Sequence, residues 1–190
     1  MPVTSLELAT SGPEDTRAFA AALSPLLQPG DVVALSGELG AGKTCFVQGA
    51  IRGLGVETRV TSPTFVLVRQ YAGRLPIVHG DVYRLDRLQD VHDLGDDVMA
   101  PDVVTFLEWA DAVAPLLPDD RLDVELHVPA LVGDPASEAN RDVEEARTIS
   151  LRGLGPRWAE RAGALAAVCG PWHAGPAAPS AGTDDASEDR

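Results

Sequence analysis

Apolar and polar positions along the chain switch between strand-like and helix-like spacing, with breakers at the joints. Residues 3–8 form a short strand candidate. Ser11-Gly-Pro-Glu14 has the S-x-x-E form of a capping box, which predicts a helix opening there and running to about Leu27. Pro29-Gly30 breaks the chain, and DVVALS at 31–36 is a compact apolar run, the pattern of a central parallel strand covered on both faces. A glycine-rich turn over 37–44 follows, and residues 44–54 read as a helix ended by Gly55. Further strand candidates lie at 65–70, 76–79 and 103–107, with helices across 85–94 and 156–168. RLDVELHV at 121–128 alternates, with apolar side chains at Leu122, Val124, Leu126 and Val128, and RTISL at 147–151 is short and β-branched. This succession predicts an α/β fold with a central, mostly parallel sheet, flanking helices and a C-terminal β-hairpin.

Composition limits where that fold ends. The 190 residues suffice for one domain, and 45% apolar with 23% charged residues excludes a wholly disordered chain. Aromatics are only 5%, so Leu, Val and Ala must build the core. Between the hairpin strands, residues 129–146 carry five acids against Arg141 and read as an acidic surface loop. The tail at 174–190 has no large apolar residue and a net charge of −3; it buries too little surface to offset ordering, so disorder is expected. The domain is therefore expected over 1–173. A net charge of −14 argues against autonomous binding to nucleic acid, which draws its affinity from Lys and Arg on phosphates. Any nucleic acid is expected to reach this chain through a partner. No apolar run approaches the roughly 20 residues of a membrane span. Cys45 and Cys169 make no disulfide framework, and a cytoplasmic location without membrane contact is the expectation.

The sharpest chemical signal is Gly37-Glu38-Leu39-Gly40-Ala41-Gly42-Lys43-Thr44, which matches G-x-x-x-x-G-K-[ST] between a buried strand and a helix. Glycines let successive N–H groups turn inward toward phosphate oxygens, and the helix presents its positive end to the same anion. Lys43 supplies a cation for the β- and γ-phosphates, and the Thr44 hydroxyl is a hard ligand for Mg²⁺. The motif predicts a P-loop NTPase domain. No N-K-x-D segment for guanine is present, which favours ATP by elimination.

A second metal anchor is needed. Val103–Leu107 ends in Glu108, the layout of a Walker-B acid, but an ordinary strand-terminal glutamate facing solvent has the same pattern. Asp81 follows a short apolar strand and competes for the role of metal anchor or water-positioning acid. In Val60-Thr-Ser-Pro-Thr64, Thr64 is either a sensor of the γ-phosphate or part of a turn capped by Ser and Thr. His79 is either a phosphate contact or a structural histidine at a strand end. His92, His127 and His173 have no metal-ligand spacing, and Trp158 and Trp172 read as packing residues.

Together these segments resemble one family, the bacterial TsaE (YjeE) ATPases of tRNA threonylcarbamoyladenosine biosynthesis. The resemblance covers about residues 5–155: GELGAGKT is similar to the family's Walker A string, SPTF to its switch I and HGDVYRL to its H-x-D-x-Y-R-L block, while Leu94-Gly95, Leu107-Glu-Trp109 and LLPDDRLDVEL also fit in order. It implies ATP binding and slow Mg²⁺-dependent hydrolysis within a complex of TsaB-like and TsaD-like subunits. The ATPase would reset that machinery and would not itself transfer the threonylcarbamoyl group. By the same resemblance, Thr44 and Glu108 would ligate Mg²⁺ and Asp81 would support metal or attacking water. Thr64 would sense the γ-phosphate, Trp109 would lie beside the site, and the segment from Thr10 through Thr16 would approach adenine.

Cys45 departs from the family's usual hydroxyl residue; it reads either as a thiol with thiolate character at a helix start or as a small packing residue. Its backbone N–H completes the expected nucleotide contacts. Tyr83 and Arg84 read as buttress and interface residues. No arginine finger is fixed within the motifs, so partner docking is expected to complete the site. Two other functions remain open at this level: a P-loop small-molecule kinase, and an ATP-gated assembly switch with negligible turnover.

Overall fold

A computed structural model describes residues 4–63, 68–83, 98–129 and 145–173. Among them the strands are β1 (Thr4–Thr10), β2 (Val32–Gly37), β3 (Val68–Ala72), β4 (Pro76–Asp81), β5 (Val104–Glu108), β6 (Arg121–His127) and β7 (Arg147–Leu154). The helices are α1 (Pro13–Leu23), α2 (Lys43–Gly53), α3 (Gly155–Glu160) and α4 (Ala162–Cys169), with 3₁₀ segments at Ser24–Leu26, Ala110–Leu116 and Gly170–Trp172. The strands form one sheet in the order β1-β7-β6-β2-β5-β4-β3.

The sheet is mixed, which corrects the expectation of a mostly parallel one. β6, β2, β5 and β4 run parallel. β1 and β7 add antiparallel strands at one side and β3 does so at the other. The burial pattern carries the reason. β5 is buried at every position and β2 over Val32–Leu35, as parallel strands covered on both faces must be. β1, β6 and β7 alternate, with Leu8, Leu122, Val124, Leu126, Ile149 and Leu151 inward. The hairpin β6–β7 is present as predicted, but its outer strand also recruits β1, from the other end of the chain, as an antiparallel neighbour.

Two apolar clusters lie on opposite faces of the sheet. Val33 and Leu35 of β2 join the larger one, with Phe19, Leu23, Phe46, Ile51, Trp158 and Leu165 from the helices. Ala34, between them, turns to the smaller one, where Leu107, Ala110 and Val113 cover it. Among the described helices α1 packs chiefly on α2; Phe19 meets Phe46 edge-on at 6.0 Å, and burying each ring contributes roughly 1.5–3 kcal/mol. At Gly49 of α2 a Cβ would run into the backbone of Arg17, so a larger residue would force the helices apart.

Local details depart from the predicted ones for identifiable reasons. The capping box does not form. α1 begins at Pro13, and Ser11 pairs through its N–H (2.9 Å) and hydroxyl (3.1 Å) with Asp15 in place of Glu14, which binds Arg17 at 2.6 Å. The predicted helix over 156–168 is broken at Arg161. That side chain turns back over Trp158 and grips the buried Asp31 in a fork at 2.6 and 2.9 Å. β4 and β5 extend further than read, to Asp81 and Glu108, and β3 runs to Ala72. The predicted helix over 85–94, Thr64, Arg84, His92, Leu94-Gly95, the acidic loop over 130–144 and the tail at 174–190 lie outside the described residues. No helix among the described residues is long and apolar enough to cross a membrane.

Candidate functional site

The central parallel strands end together. Leu35 of β2 is in register with Glu108 of β5, and Glu108 with Asp81 of β4, so two carboxylates stand at the carboxyl edge where the chain leaves β2 for α2. In open α/β sheets that edge is where ligands bind. Here it opens into a cleft of about 480 Å³, lined by Gly40, Gly42, Lys43, Thr44 and Cys45 on one side and Ser62, Asp81, Tyr83, Glu108 and Trp109 on the other, with Leu39 at the lip.

The loop itself turns through three glycines with positive φ: Gly37 at 131°, Gly40 at 82° and Gly42 at 104°. At Gly37 a Cβ would also strike the Leu126 carbonyl of β6, so the turn fits only glycine. Arg147 at the start of β7 holds the loop from outside, donating from Nε to the Ala41 carbonyl at 3.1 Å and from Nη2 to that of Gly40 at 3.2 Å. The Glu38 carboxylate accepts the Val128 N–H at 3.0 Å.

Lys43 is 4% exposed, and its ammonium is folded into its own loop, donating to the carbonyls of Gly37 (2.7 Å) and Glu38 (2.9 Å). It also lies 3.5 Å from the centroid of the Trp109 ring. Burial lowers its pKa, against the pull of Glu108, Asp111, Asp81 and Glu38, which favour the charged form.

One hydrogen-bonded line crosses the cleft floor. Thr44 Oγ1 donates to Glu108 Oε2 at 2.7 Å, and Glu108 Oε1 meets His79 Nε2 at 2.7 Å. Glu108 is 2% exposed, which removes the solvent-facing reading, and His79 is fully buried, held to the carboxylate and not at the cleft wall. Asp81 takes the Ser62 hydroxyl at 3.1 Å and the Tyr83 N–H at 3.0 Å. Trp109 has φ 63° and ψ 35°, the one described non-glycine residue in the left-handed region, and its ring sits 4.6 Å from that of Tyr83.

The structure thus brings Lys43, Thr44, Asp81 and Glu108 together. Thr10 and Thr16 are buried and hydrogen-bonded to each other at 2.8 Å, and neither lines the cleft. Cys45 lines it, but burial pushes its thiol up despite nearby Arg17, the reverse of the thiolate reading. Two residues escaped sequence reasoning. Ser62 lies inside SPTF, where Thr64 drew attention, and Arg147 has no motif around it.

The family model described as "Threonylcarbamoyl adenosine biosynthesis protein TsaE" matches residues 10–131. The chain belongs to the TsaE family. A TsaE of Streptomyces coelicolor is 44% identical over 141 residues, 72% of this chain and 89% of that protein. One of Bacillus subtilis is 41% identical over 121 residues, 63% and 75% of the two chains. The crystal structure of Bacillus subtilis YdiB superposes with a TM-score of 0.66 at 31% identity, covering 88% of this chain and 97% of that one. As a TsaE, the chain functions in tRNA threonylcarbamoyladenosine biosynthesis. The family match stops before β7, so Arg147 lies outside it.

Proposed function

We propose that this TsaE is a Mg²⁺-dependent ATPase, with residues 1–173 as its P-loop domain, acting in the cytoplasm on a complex of TsaB-like and TsaD-like subunits. It resets that complex between turnovers and meets tRNA only through it. The observation that carries the reading is the line from Thr44 to Glu108 beside Lys43, at the carboxyl edge of the parallel strands.

The donor set suits magnesium. Among the described residues no cluster of three or more His, Cys, Asp or Glu could hold a metal alone. A hydroxyl and a carboxylate fit an ion that keeps several waters and takes its other ligands from substrate phosphates. Thr44 and Glu108 would hold it, with Asp81 beside them. When bound, Mg²⁺ neutralises charge on the β- and γ-phosphates.

The chain's own groups then divide the work. Amides of residues 37–45 face the phosphates, and the ammonium of Lys43 exchanges the carbonyls of Gly37 and Glu38 for phosphate oxygens. Asp81 orients water for in-line attack on the γ-phosphate, with Thr64 sensing that group. His79 fixes the Glu108 carboxylate by its hydrogen bond and touches no substrate. Turnover is slow alone because no arginine among the described residues lines the cleft, and partner docking completes the site. Phosphate release from ATP, measured with and without the two partner subunits, tests this: partner-stimulated release of free phosphate supports it, and transfer to a metabolite in place of water overturns it.

A further inference from the structure

A second groove of about 770 Å³ lies beside α2, away from the nucleotide cleft, between α1, the last turns of α2 and residues 55–60. Its charged lining is three arginines, Arg17, Arg52 and Arg59, against one acid, Glu57. That is an unusual concentration of positive charge in a chain of net charge −14. Arg17 is held at the rim by Gln48 (3.1 Å) and Glu14 (2.6 Å), and Gln48 Nε2 ties Val60 to α2 at 3.1 Å. Arg52 and Arg59 are exposed and have no hydrogen bond or ion pair among the described residues. Two guanidinium forks facing one groove select carboxylates or phosphates.

We propose that this groove is a docking surface for a carboxylate-rich peptide segment, and that its occupant is the chain's own stretch Asp184–Asp189. Charge and reach support that choice. The stretch holds four acids, and with Arg190 the segment 174–190 is net −3. His173, the last described residue, bonds the Glu7 carbonyl through its ring at 3.0 Å. Its neighbour Trp172 packs on Phe19 and donates to Asp15, both on α1, the helix that carries Arg17. Ten residues separate His173 from Asp184, eleven Cα steps in all. Extended, they span about 35–40 Å, against about 10–12 Å for the width of the helix to be crossed. Nucleic acid is the weaker candidate, since the surrounding surface repels it. Tethering gives the segment an effective concentration of order mM, so the docked form dominates when the free segment binds more tightly than that.

The test uses the ¹⁵N-labelled full chain and a full-chain variant carrying Asp184→Asn, Asp185→Asn, Glu188→Gln and Asp189→Asn. At low salt the side-chain Nε–H signals of Arg52 and Arg59 and the amides of residues 56–60 should differ between the two, and the difference should collapse near 1 M salt, where screening acts within about 3 Å. In the full chain with Arg52→Gln and Arg59→Gln, the amides of 184–189 should shift toward those of a free peptide of sequence 174–190. Groove signals unaffected by the tail substitutions overturn the proposal. So does a response only to neutralising Asp134, Glu138, Asp142 and Glu144, which makes the internal acidic segment the occupant. A difference that fades on tenfold dilution also overturns it, because the tail of a second copy is then bound.

Discussion

Glu108 allows fold and function to be separated with two substitutions at one position. Its carboxylate serves two groups of different exposure: the wholly buried His79 ring at 2.7 Å and the Thr44 hydroxyl, also at 2.7 Å, on the cleft wall. Glu108→Ala leaves a buried ring N–H without a partner, which costs about 1–3 kcal/mol. Thr44 can turn to water and adds little. Glu108→Gln keeps the ring's Nε2 bond: the amide oxygen accepts from His79, and its NH₂ donates to Thr44, whose hydroxyl turns from donor to acceptor. That variant should lie within about 1 kcal/mol of the parent in urea unfolding, yet it removes the anionic ligand and occupies a Thr44 lone pair. Loss of one preorganised electrostatic group typically lowers kcat about 10²–10³-fold, and partner-stimulated phosphate release should fall by that much. Nucleotide affinity in magnesium-free buffer should hold within about threefold, since the loop and Lys43 are untouched. Full hydrolysis by Glu108→Gln, or parental stability in Glu108→Ala, would refute the reasoning.

Lys43→Ala should abolish hydrolysis and weaken triphosphate binding in calorimetry while the far-UV spectrum stays native. Arg147→Ala, which releases the carbonyls of Gly40 and Ala41, should weaken nucleotide binding about tenfold with kcat at saturation little changed, a loss of about 1.4 kcal/mol. Asp31→Ala should destabilise the fold by about 3 kcal/mol in denaturant, because Arg161 loses both bonds of a buried fork. Burial pushes the Cys169 thiol from 9.0 to about 11. The unfolded chain therefore ionises first, and stability that is full below about pH 9 should fall as pH rises through 11. Cys169→Ala should flatten that alkaline limb in thermal melts.

Local pattern carried the centre of the molecule and lost its margins. DVVALS announced itself as a parallel strand and VVTFL as an apolar one because both faces are buried, and the loop after DVVALS was legible because its chemistry needs contiguous residues. Of the antiparallel strands, β1 and β7 pair across the length of the chain, whereas β3 and β4 are joined by only three residues. Nothing in residues 3–8 indicates that Leu6 will face Leu151. The Ser11–Glu14 box failed for a related reason: Asp15 also receives the Trp172 indole at 2.7 Å, a contact made across the fold that outweighs the local motif. Arg161 was read as one more helical residue because its partner, Asp31, precedes it by 130 positions. Glu108 was ambiguous for want of His79, whose bond turns a strand-end acid inward.

The turn after Glu108 links these points. A tryptophan in the left-handed region costs roughly 1–2 kcal/mol, and such strain persists only where the surroundings impose it. Here the surroundings are β5, which ends at a carboxylate fixed by His79, and the 3₁₀ segment that starts at Ala110 and covers the sheet's smaller core. Relaxing the turn would require moving either the carboxylate or that core. The same turn brings the Trp109 ring within 3.5 Å of the Lys43 ammonium and 4.6 Å of Tyr83, which is 56% exposed. The strained residue therefore joins three parts of the cleft that the chain keeps far apart: the loop's cation, the strand's acid and an aromatic surface open to a partner. A partner that pressed on Tyr83 would act on Lys43 through one ring, a short physical route from docking to the phosphates.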